Sequence, residues 1–367
     1  MKLEHIQRLH SSFLVIPGRA RMKTKRVKKW IFIISLLILA GIGIGYRKTL
    51  TYGFRQAKGQ ISIIWHTRPV ENVLNDPAIP DSIKTAIREI GIIKSFAAHT
   101  LGLKSNRNYT TYYDQQPGYK MWVLTACQPF RLEAYEWKFP VLGSFSYKGY
   151  FDRKVAEKEE RKLQSEGYDT EIREAQGWST LGLLRDPILS GMLDRDEAGL
   201  ADLIIHELTH GTIFFKDSID YNENLATFIG TYGTLEYLKK RFGENSKEVS
   251  DYTSLLSDRY KFNHYMLRAC HMLDSLYSTF SSVDNLELKK QLKEKMIRTI
   301  VRNLDTIRFT SRYKNLRFFS SGIPNNTYFS SFLQYRGKQP YFIDELNNRF
   351  TGNLIRYIEF LKKKDHK

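Results

Sequence analysis

The pattern of apolar positions divides the 367-residue chain into three kinds of segment. Residues 30–46 form one uncharged run, and residues 109–151 contain aromatic and β-branched runs separated by Gly and Pro. The second pattern predicts a small antiparallel sheet, with strands at 121–126, 132–137 and 145–151. Most of the remaining chain has apolar residues three or four positions apart, which is typical of helices that bury one face. We therefore predict a helix-dominated α+β fold.

Helical spacing extends through four stretches, at 61–107, 152–165, 230–307 and 340–364. The second stretch is rich in Glu, Lys and Arg, which indicates a helix with one face in solvent. A loop is expected near Pro324, between the third and fourth stretches. The C-terminal part of the chain is thus predicted to be helical.

The uncharged run at 30–46 reads WIFIISLLILAGIGIGY. As a helix it would span roughly 25 Å, the short end of what crosses a bilayer. Seven Lys and Arg residues lie between positions 19 and 29, and only Arg47 and Lys48 follow closely. This asymmetry predicts a single transmembrane helix at 30–46, a cytoplasmic tail at 1–29 and an extracytoplasmic (periplasmic) domain at 50–367, held at the cell membrane.

Two other interpretations of this segment stay open. The small residues at 40–45 also suit a signal peptide that is cleaved, although no clear A-x-A site follows. Met22 begins a sequence of the form expected for a charged leader, so residues 1–21 need not be translated.

Composition limits the classes of function. The hydrophobic content of 42% and aromatic content of 13% exclude a disordered chain. The net charge of +18 is concentrated at the N-terminus, where eleven Lys and Arg residues oppose one acid before position 49. The remainder is only mildly basic, so we expect no nucleic-acid partner. The oligomeric state is left open by the sequence.

The two cysteines, Cys127 and Cys270, are far apart and belong to no metal-binding or redox pair. We interpret them as small buried side chains, with one disulfide as the alternative.

The chemistry of the chain is concentrated in an H-E-x-x-H motif at His206, Glu207 and His210. In a helix the two histidines are one turn apart on the same face, where both imidazoles can bind one Zn²⁺. Glu207 is rotated by about 100° from His206, which suits a base that takes a proton from water. A capping box at Asp194 and an apolar stripe support a helix here, and Gly211 can end it.

A third metal ligand is expected thirteen positions after His210. Glu223 begins a second predicted helix, on a side formed by Ala226, Thr227 and Gly230. Small residues allow two helices to approach closely, which lets the carboxylate reach a metal held by the neighbouring helix. The alternative is that Glu223 caps its own helix with Asp220.

Several segments carry a family resemblance. They are LADLIIHELTH at 200–210, DYNENLATFIG at 220–230, SYKGYFD at 146–152 and WSTLGLLRDPIL at 178–189. Together they resemble the bacterial family of predicted, or putative, aminopeptidases, which are zinc metallopeptidases related to the HExxH…E peptidases. The resemblance covers about residues 52–364. It implies a zincin-like metallopeptidase domain with a C-terminal helical part.

The resemblance also assigns roles by position. His206, His210 and Glu223 correspond to the metal ligands, and Glu207 corresponds to the catalytic base. Where the thermolysin-type pattern has an Asp that orients a ligand histidine, this chain has Thr227. Asp202, one turn before His206, is the candidate replacement.

The implied function is hydrolysis of peptide substrates, as an aminopeptidase attached to the membrane. Tyr232 is the predicted donor to the oxyanion, with a core tyrosine as the alternative. A carboxylate must bind the free amine of the substrate, and Glu133, Glu136 and Asp152 are the candidates. The alternative function is a non-enzymatic envelope scaffold or binding protein with a structural zinc site.

Overall fold

The structure is a computed structural model. It describes residues 28–34, 47–105, 107–115, 121–139, 143–175, 185–216, 218–311, 318–320 and 322–365. The chain divides into two compact units, Met1–Lys58 and Gly59–Lys367, and the features below belong to the second unit except where stated.

The helices are α1 (28–34), α2 (Arg47–Trp65), α3 (Val70–Asn75), α4 (Asp81–His99), α5 (Arg153–Ser165), α6 (Glu197–His210), α7 (Ile219–Phe242), α8 (Lys247–Ser278), α9 (Leu286–Leu304), α10 (Asn326–Arg336), α11 (Gln339–Phe350) and α12 (Leu354–Asp365). The strands are β1 (Arg68–Pro69), β2 (Thr111–Tyr113), β3 (Trp122–Cys127), β4 (Trp137–Phe139), β5 (Gly143–Phe145), β6 (Tyr147–Tyr150), β7 (Asp169–Glu174) and β8 (Ile188–Leu189).

The described strands form three small sheets. β3 is the central strand of an antiparallel sheet, between β6 and β7. In a second sheet β2 pairs antiparallel with β1 and parallel with β8, and β4 and β5 form a separate antiparallel pair. The predicted antiparallel pairing of 121–126 with 145–151 is confirmed by β3 and β6, whereas the expectation of a single sheet is wrong. Five of the strands have only two or three residues, which is too short to produce an alternating pattern in the sequence.

Two buried hydrophobic clusters form the core. The larger one joins side chains of α4, α6, α7, α11 and α12 with β2 and β8. The smaller one joins α8, α9 and α10. Cys127 and Cys270 are buried and free, as predicted, and form no disulfide. Helices supply most of the buried apolar surface, and the prediction of a helix-dominated α+β fold is confirmed.

Most predicted helices are present, with local differences. α5 begins after Asp152, whose carboxylate accepts a hydrogen bond of 2.9 Å from the backbone N–H of Lys154. The predicted helical stretch at 230–307 consists of the end of α7 followed by α8 and α9. α10 and β7 lie in segments for which the sequence predicted no element.

The prediction of a transmembrane helix at 30–46 is wrong. Of this run, residues 35–46 lie outside the described residues, as do residues 1–27 of the predicted tail. Within the described ranges, every helix is too short or too polar to span a bilayer. α1 has seven described residues, and α2 carries four basic residues within nineteen. The predicted single-pass attachment and cell-membrane location are therefore wrong as well.

Candidate metal centre

The H-E-x-x-H motif lies on α6, in a helix with well-defined ends. The carboxylate of Asp196 caps the start by accepting a hydrogen bond of 2.8 Å from the N–H of Gly199. The predicted capping box at Asp194 is therefore wrong by two positions. The helix ends at Gly211, as predicted, so His210 is its last residue. Leu200, Ile204 and Leu208 are fully buried and fix which face of α6 points away from the core.

Glu223 lies near the start of α7, the helix that follows α6. α7 begins at Ile219 after Ser218, and no side chain caps it. The alternative in which Glu223 caps its own helix is thus not what the structure shows. The connection before α7 is fixed by Asn222, whose amide accepts a hydrogen bond from the N–H of Phe215 (2.9 Å) and donates one to its carbonyl (2.7 Å).

Two glycines allow α6 and α7 to approach closely. A Cβ on Gly230 would stand 2.8 Å from the backbone oxygen of Asp202 and 3.2 Å from Cβ of His206. A Cβ on Gly233 would stand 3.0 Å from Cγ2 of Ile205. The small residues of α7 therefore allow the close helix packing that was predicted. This packing brings Glu223 within reach of the histidines of α6.

His206, His210 and Glu223 form one cluster. The two Nε2 atoms are 3.1 Å apart, and Oε2 of Glu223 lies 3.6 Å from each of them. Their side chains are only 18%, 8% and 12% exposed. A single point can be placed about 2.0–2.1 Å from all three atoms at these separations, which is the bond length that zinc makes to nitrogen and oxygen. The donor set therefore fits a zinc ion.

The electrostatics of the cluster favour a charged carboxylate beside the imidazoles. Burial alone would raise the pKa of Glu223, but its interactions with His206 and His210 outweigh burial and lower that pKa strongly. Burial would lower the pKa of His206, and Glu223 and Glu207 outweigh that effect and raise it. A divalent cation between these groups would take the place of the protons that the imidazoles otherwise attract.

The other ring nitrogens have different surroundings. Nδ1 of His210 is buried and has no hydrogen-bond partner among the described residues. Asp202, the candidate orienting acid, receives hydrogen bonds from Arg259 (3.1 Å) and Thr231 (3.4 Å), and its charge contributes to the raised pKa of His206. Its predicted role in orienting His206 stays a prediction.

Three tyrosines that the sequence did not indicate feel the charges of the site carboxylates, which raise their pKa values. The pKa of Tyr147 on β6 is raised to about 12 by burial and by the charges of Glu223 and Glu207. Burial and the charge of Glu223 also raise the pKa of Tyr335 on α10. The hydroxyls of Tyr147 and Tyr335 have no hydrogen-bond partner within the part of the chain that the structure describes. Both can therefore donate to a substrate.

Tyr109 is the third of these tyrosines and has an unusual backbone. Its φ is +62°, a left-handed conformation that is costly for a residue with an aromatic side chain. Asp186 holds it there: the carbonyl of Asp186 accepts a hydrogen bond from the N–H of Tyr109 (2.7 Å), and its own N–H donates to Asn108 (3.1 Å). Burial raises the pKa of Tyr109, and the charge of Glu207 raises it further.

Tyr232, the predicted oxyanion donor, lies elsewhere. Its ring packs against Phe228, with 4.6 Å between ring centroids, at the edge of the larger hydrophobic cluster. Burial is what raises its pKa, without a contribution from Glu207 or Glu223. SYKGYFD contains Tyr147, so the family resemblance could have indicated that residue, whereas no motif marks Tyr335.

The three candidate carboxylates for the substrate amine are also separated by the fold. Glu133 forms an exposed ion pair with Arg131, and Asp152 caps α5. Glu136 lies near Asp220, because both its charge and that of Glu223 raise the pKa of Asp220, after burial. Of the three candidates, Glu136 is thus the one that the structure places beside the start of α7.

His206, His210 and Glu223 together can hold a metal ion, with the carboxylate of Glu207 and the tyrosine hydroxyls nearby. Among the described residues, no fourth His, Cys, Asp or Glu belongs to the same group of potential ligands. Three protein ligands and one open position are the arrangement of catalytic rather than structural zinc sites.

Comparison with known proteins gives one match. The model of the family described as Putative aminopeptidase matches residues 51–366, which is most of the chain. No curated protein and no solved structure matches it.

Proposed function

The chain belongs to the putative aminopeptidase family, and on that basis we propose that it is a zinc-dependent peptidase that removes residues from the N-termini of peptides. The observation that carries the proposal is the position of Oε2 of Glu223, 3.6 Å from Nε2 of both His206 and His210. Family membership supports peptide hydrolysis, and the geometry of these three atoms supports the metal.

In the proposed mechanism His206, His210 and Glu223 would hold a zinc ion. Zinc at such a site supplies Lewis-acid chemistry, since it polarises a carbonyl oxygen and lowers the pKa of water. Glu207, adjacent to His206 and half-buried, accepts the proton of the attacking water. It then delivers that proton to the nitrogen of the leaving amine, so the peptide bond breaks without releasing an amide anion.

The tyrosines supply hydrogen bonds where negative charge develops. The hydroxyls of Tyr147 and Tyr335 lie near the carboxylates of Glu223 and Glu207, whose charges raise the pKa values of both tyrosines. Both hydroxyls therefore keep their protons. A protonated phenol directed at the carbonyl oxygen of the substrate becomes a stronger partner as that oxygen gains charge. This assigns to Tyr147 and Tyr335 the role first predicted for Tyr232.

Glu136 and Asp220 are proposed to bind the free amine of the substrate. The charges of Glu136 and Glu223 both raise the pKa of Asp220, after burial and against the opposing charge of Lys338, and a positively charged amine is attracted to paired carboxylates. This part of the proposal distinguishes an aminopeptidase from an endopeptidase, which needs no such group.

The test is digestion of a synthetic peptide set by the full chain, followed by mass spectrometry. Each peptide is supplied with a free and with an acetylated N-terminus. We expect single residues to be lost from free N-termini only, and no cleavage by the Glu207→Gln variant. Internal cuts, or equal cleavage of acetylated peptides, would replace aminopeptidase with endopeptidase. Full activity in Glu207→Gln would contradict the mechanism, whereas zinc binding without any cleavage by the native chain would favour the structural-zinc alternative.

A further inference from the structure

Asn224, the residue after Glu223, is buried completely and connects α7 to the end of α10. Its amide nitrogen donates hydrogen bonds to the carbonyl oxygens of Gln334 on α10 and, at 2.9 Å, of Asp220 on its own helix, with a longer contact of 3.3 Å to that of Leu333. Its amide oxygen accepts a hydrogen bond of 2.7 Å from the N–H of Lys338. One side chain thus binds both the last turn of α10 and the residue that precedes α11.

These bonds satisfy groups that a helix end leaves unpaired. The last four carbonyls of an α-helix have no partner within the helix. In α10 the carbonyl of Leu333 accepts a hydrogen bond of 2.8 Å from the N–H of Gly337, and that of Gln334 accepts one from Asn224. The carbonyl of Tyr335 accepts a hydrogen bond of 3.4 Å from the amide of Gln339. The same amide donates to the backbone oxygen of Asn224 at 2.8 Å. The end of α10 is therefore capped both by Gly337 of its own sequence and by Asn224 of α7.

The capped turn carries Tyr335. Gln334, which accepts from Asn224, is its direct neighbour, and the amide oxygen of Gln334 in turn accepts a hydrogen bond of 2.9 Å from Ser146, the residue before Tyr147. Asn224, which follows Glu223, is thus hydrogen-bonded to Gln334, which precedes Tyr335. Glu223 and Tyr335 are therefore connected through one peptide bond on each side and the hydrogen bond of the buried Asn224 amide between them.

We propose that Asn224 is a positioning residue of the peptidase reaction, which sets Tyr335 at a fixed place relative to Glu223. The proposal rests on the proposed function, because it gives Asn224 a role through a catalytic tyrosine. An asparagine is suited to this task, since its amide hydrogens can donate to carbonyls of α7 and α10 while its oxygen accepts from the N–H of Lys338. Aspartate keeps the acceptor for Lys338 but turns a charged oxygen towards two carbonyls.

The experiment is a double-mutant cycle of Asn224→Ala with Tyr335→Phe in the full chain, read as kcat and KM for a free peptide and as zinc per chain. We expect Asn224→Ala to lower kcat at least tenfold with one zinc retained. In the Tyr335→Phe background the same change is expected to lower kcat less than threefold, because the group that Asn224 positions is gone. Asn224→Asp is expected to behave like Asn224→Ala.

The control is Asn285→Ala. Asn285 caps α9 by accepting a hydrogen bond of 3.0 Å from Leu288, away from Glu223, so its loss is expected to lower stability and leave kcat unchanged. If Asn224→Ala does not fold, Gln339→Met weakens the same junction from α11, and the same cycle is read with it.

The outcomes separate the two proposals. Independent, multiplicative effects of the two substitutions, or an unchanged kcat in Asn224→Ala or in Tyr335→Phe, would overturn the positioning role while leaving a zinc peptidase. A native chain that binds no zinc or cleaves no peptide would overturn the proposed function itself.

Discussion

The backbone oxygen of Asp202 on α6 lies 2.8 Å from the point that a Cβ on Gly230 of α7 would occupy. This close approach of two helices decides whether the carboxylate of Glu223 can reach the histidines. A backbone oxygen cannot move aside as the end of a flexible side chain can, so the position admits only glycine without a shift of one helix.

We predict that Gly230→Ala separates α6 from α7. Alanine in a helix interior gains about 1 kcal/mol over glycine, but forcing a methyl group into this contact costs about 1–3 kcal/mol. The expected result is lower stability in urea and at least a tenfold loss of zinc affinity by competition with a chelator. The control is Gly91→Ala on α4, where no atom lies within 4 Å of the added carbon and stability should rise. Unchanged zinc affinity in Gly230→Ala would contradict this account.

The site tyrosines give a second prediction. Tyr147→Phe and Tyr335→Phe each remove a hydroxyl near Glu223 and should lower kcat by about 10²–10³, the usual effect of losing one oxyanion donor. Zinc content and KM should change little. Tyr232→Phe is the matched control, because its ring packs against Phe228 and its pKa is insensitive to the site carboxylates. A large loss of kcat in Tyr232→Phe alone would instead support Tyr232 as the oxyanion donor.

Glu136 gives a third prediction, on substrate binding. Glu136→Gln removes one charge that is proposed to bind the amine and should raise KM for peptides with free N-termini about tenfold, since a charged hydrogen bond contributes roughly 1.5–3 kcal/mol. Glu133→Gln, in an exposed ion pair with Arg131, should leave KM unchanged. Equal KM values for native chain and Glu136→Gln would remove Glu136 from the site.

The fourth prediction concerns stability and pH. Asp258 on α8 is fully buried; burial would raise its pKa, but hydrogen bonds from the N–H groups of Ser311 (2.6 Å) and Thr310 (2.7 Å) lower it to about 2. A pKa below the ordinary 3.8 means that the folded state favours the ionised form. Its contribution, about 2 kcal/mol, is therefore complete above about pH 5 and is lost as the pH falls towards 2.

The check is urea unfolding of Asp258→Asn against the native chain between pH 7 and pH 3. The difference in free energy of unfolding should shrink as the pH falls. Asp251→Asn, on the same helix but in an exposed pair with Lys247, should show almost no difference at any pH. A difference for Asp258→Asn that is constant with pH would show that its ionisation contributes nothing.

The clustering of His206 and His210 could be predicted because its geometry is local. Two histidines four positions apart on a helix share a face whatever the rest of the fold does. Glu223 required one further step, which the small residues of α7 supplied. The end of α6 was predicted correctly from Gly211, while its start was misplaced, because Asp194 and Asp196 both suit a cap and only tertiary contacts select one.

The tyrosines and asparagines of the site could not be predicted in the same way. Tyr335 is more than a hundred positions from Glu223, and no spacing rule relates residues of different helices. β7 reads DTEIRE and has no buried residue, so it lacks the alternation that marks a strand, although it pairs with β3 along its full length. The 30–46 run shows the opposite error, in which the sequence predicts an element that is not found. Its hydropathy alone predicted a membrane span, and no described helix forms one.

The most direct test of the central claim is zinc content measured together with peptide cleavage in three forms of the full chain. We predict one zinc per chain in the native protein and in Glu207→Gln, with cleavage by Glu207→Gln reduced by about 10²–10⁴ or more. Glu223→Ala should lose zinc affinity and activity together. Tight zinc binding that survives in Glu223→Ala, or cleavage that survives in Glu207→Gln, would contradict the account.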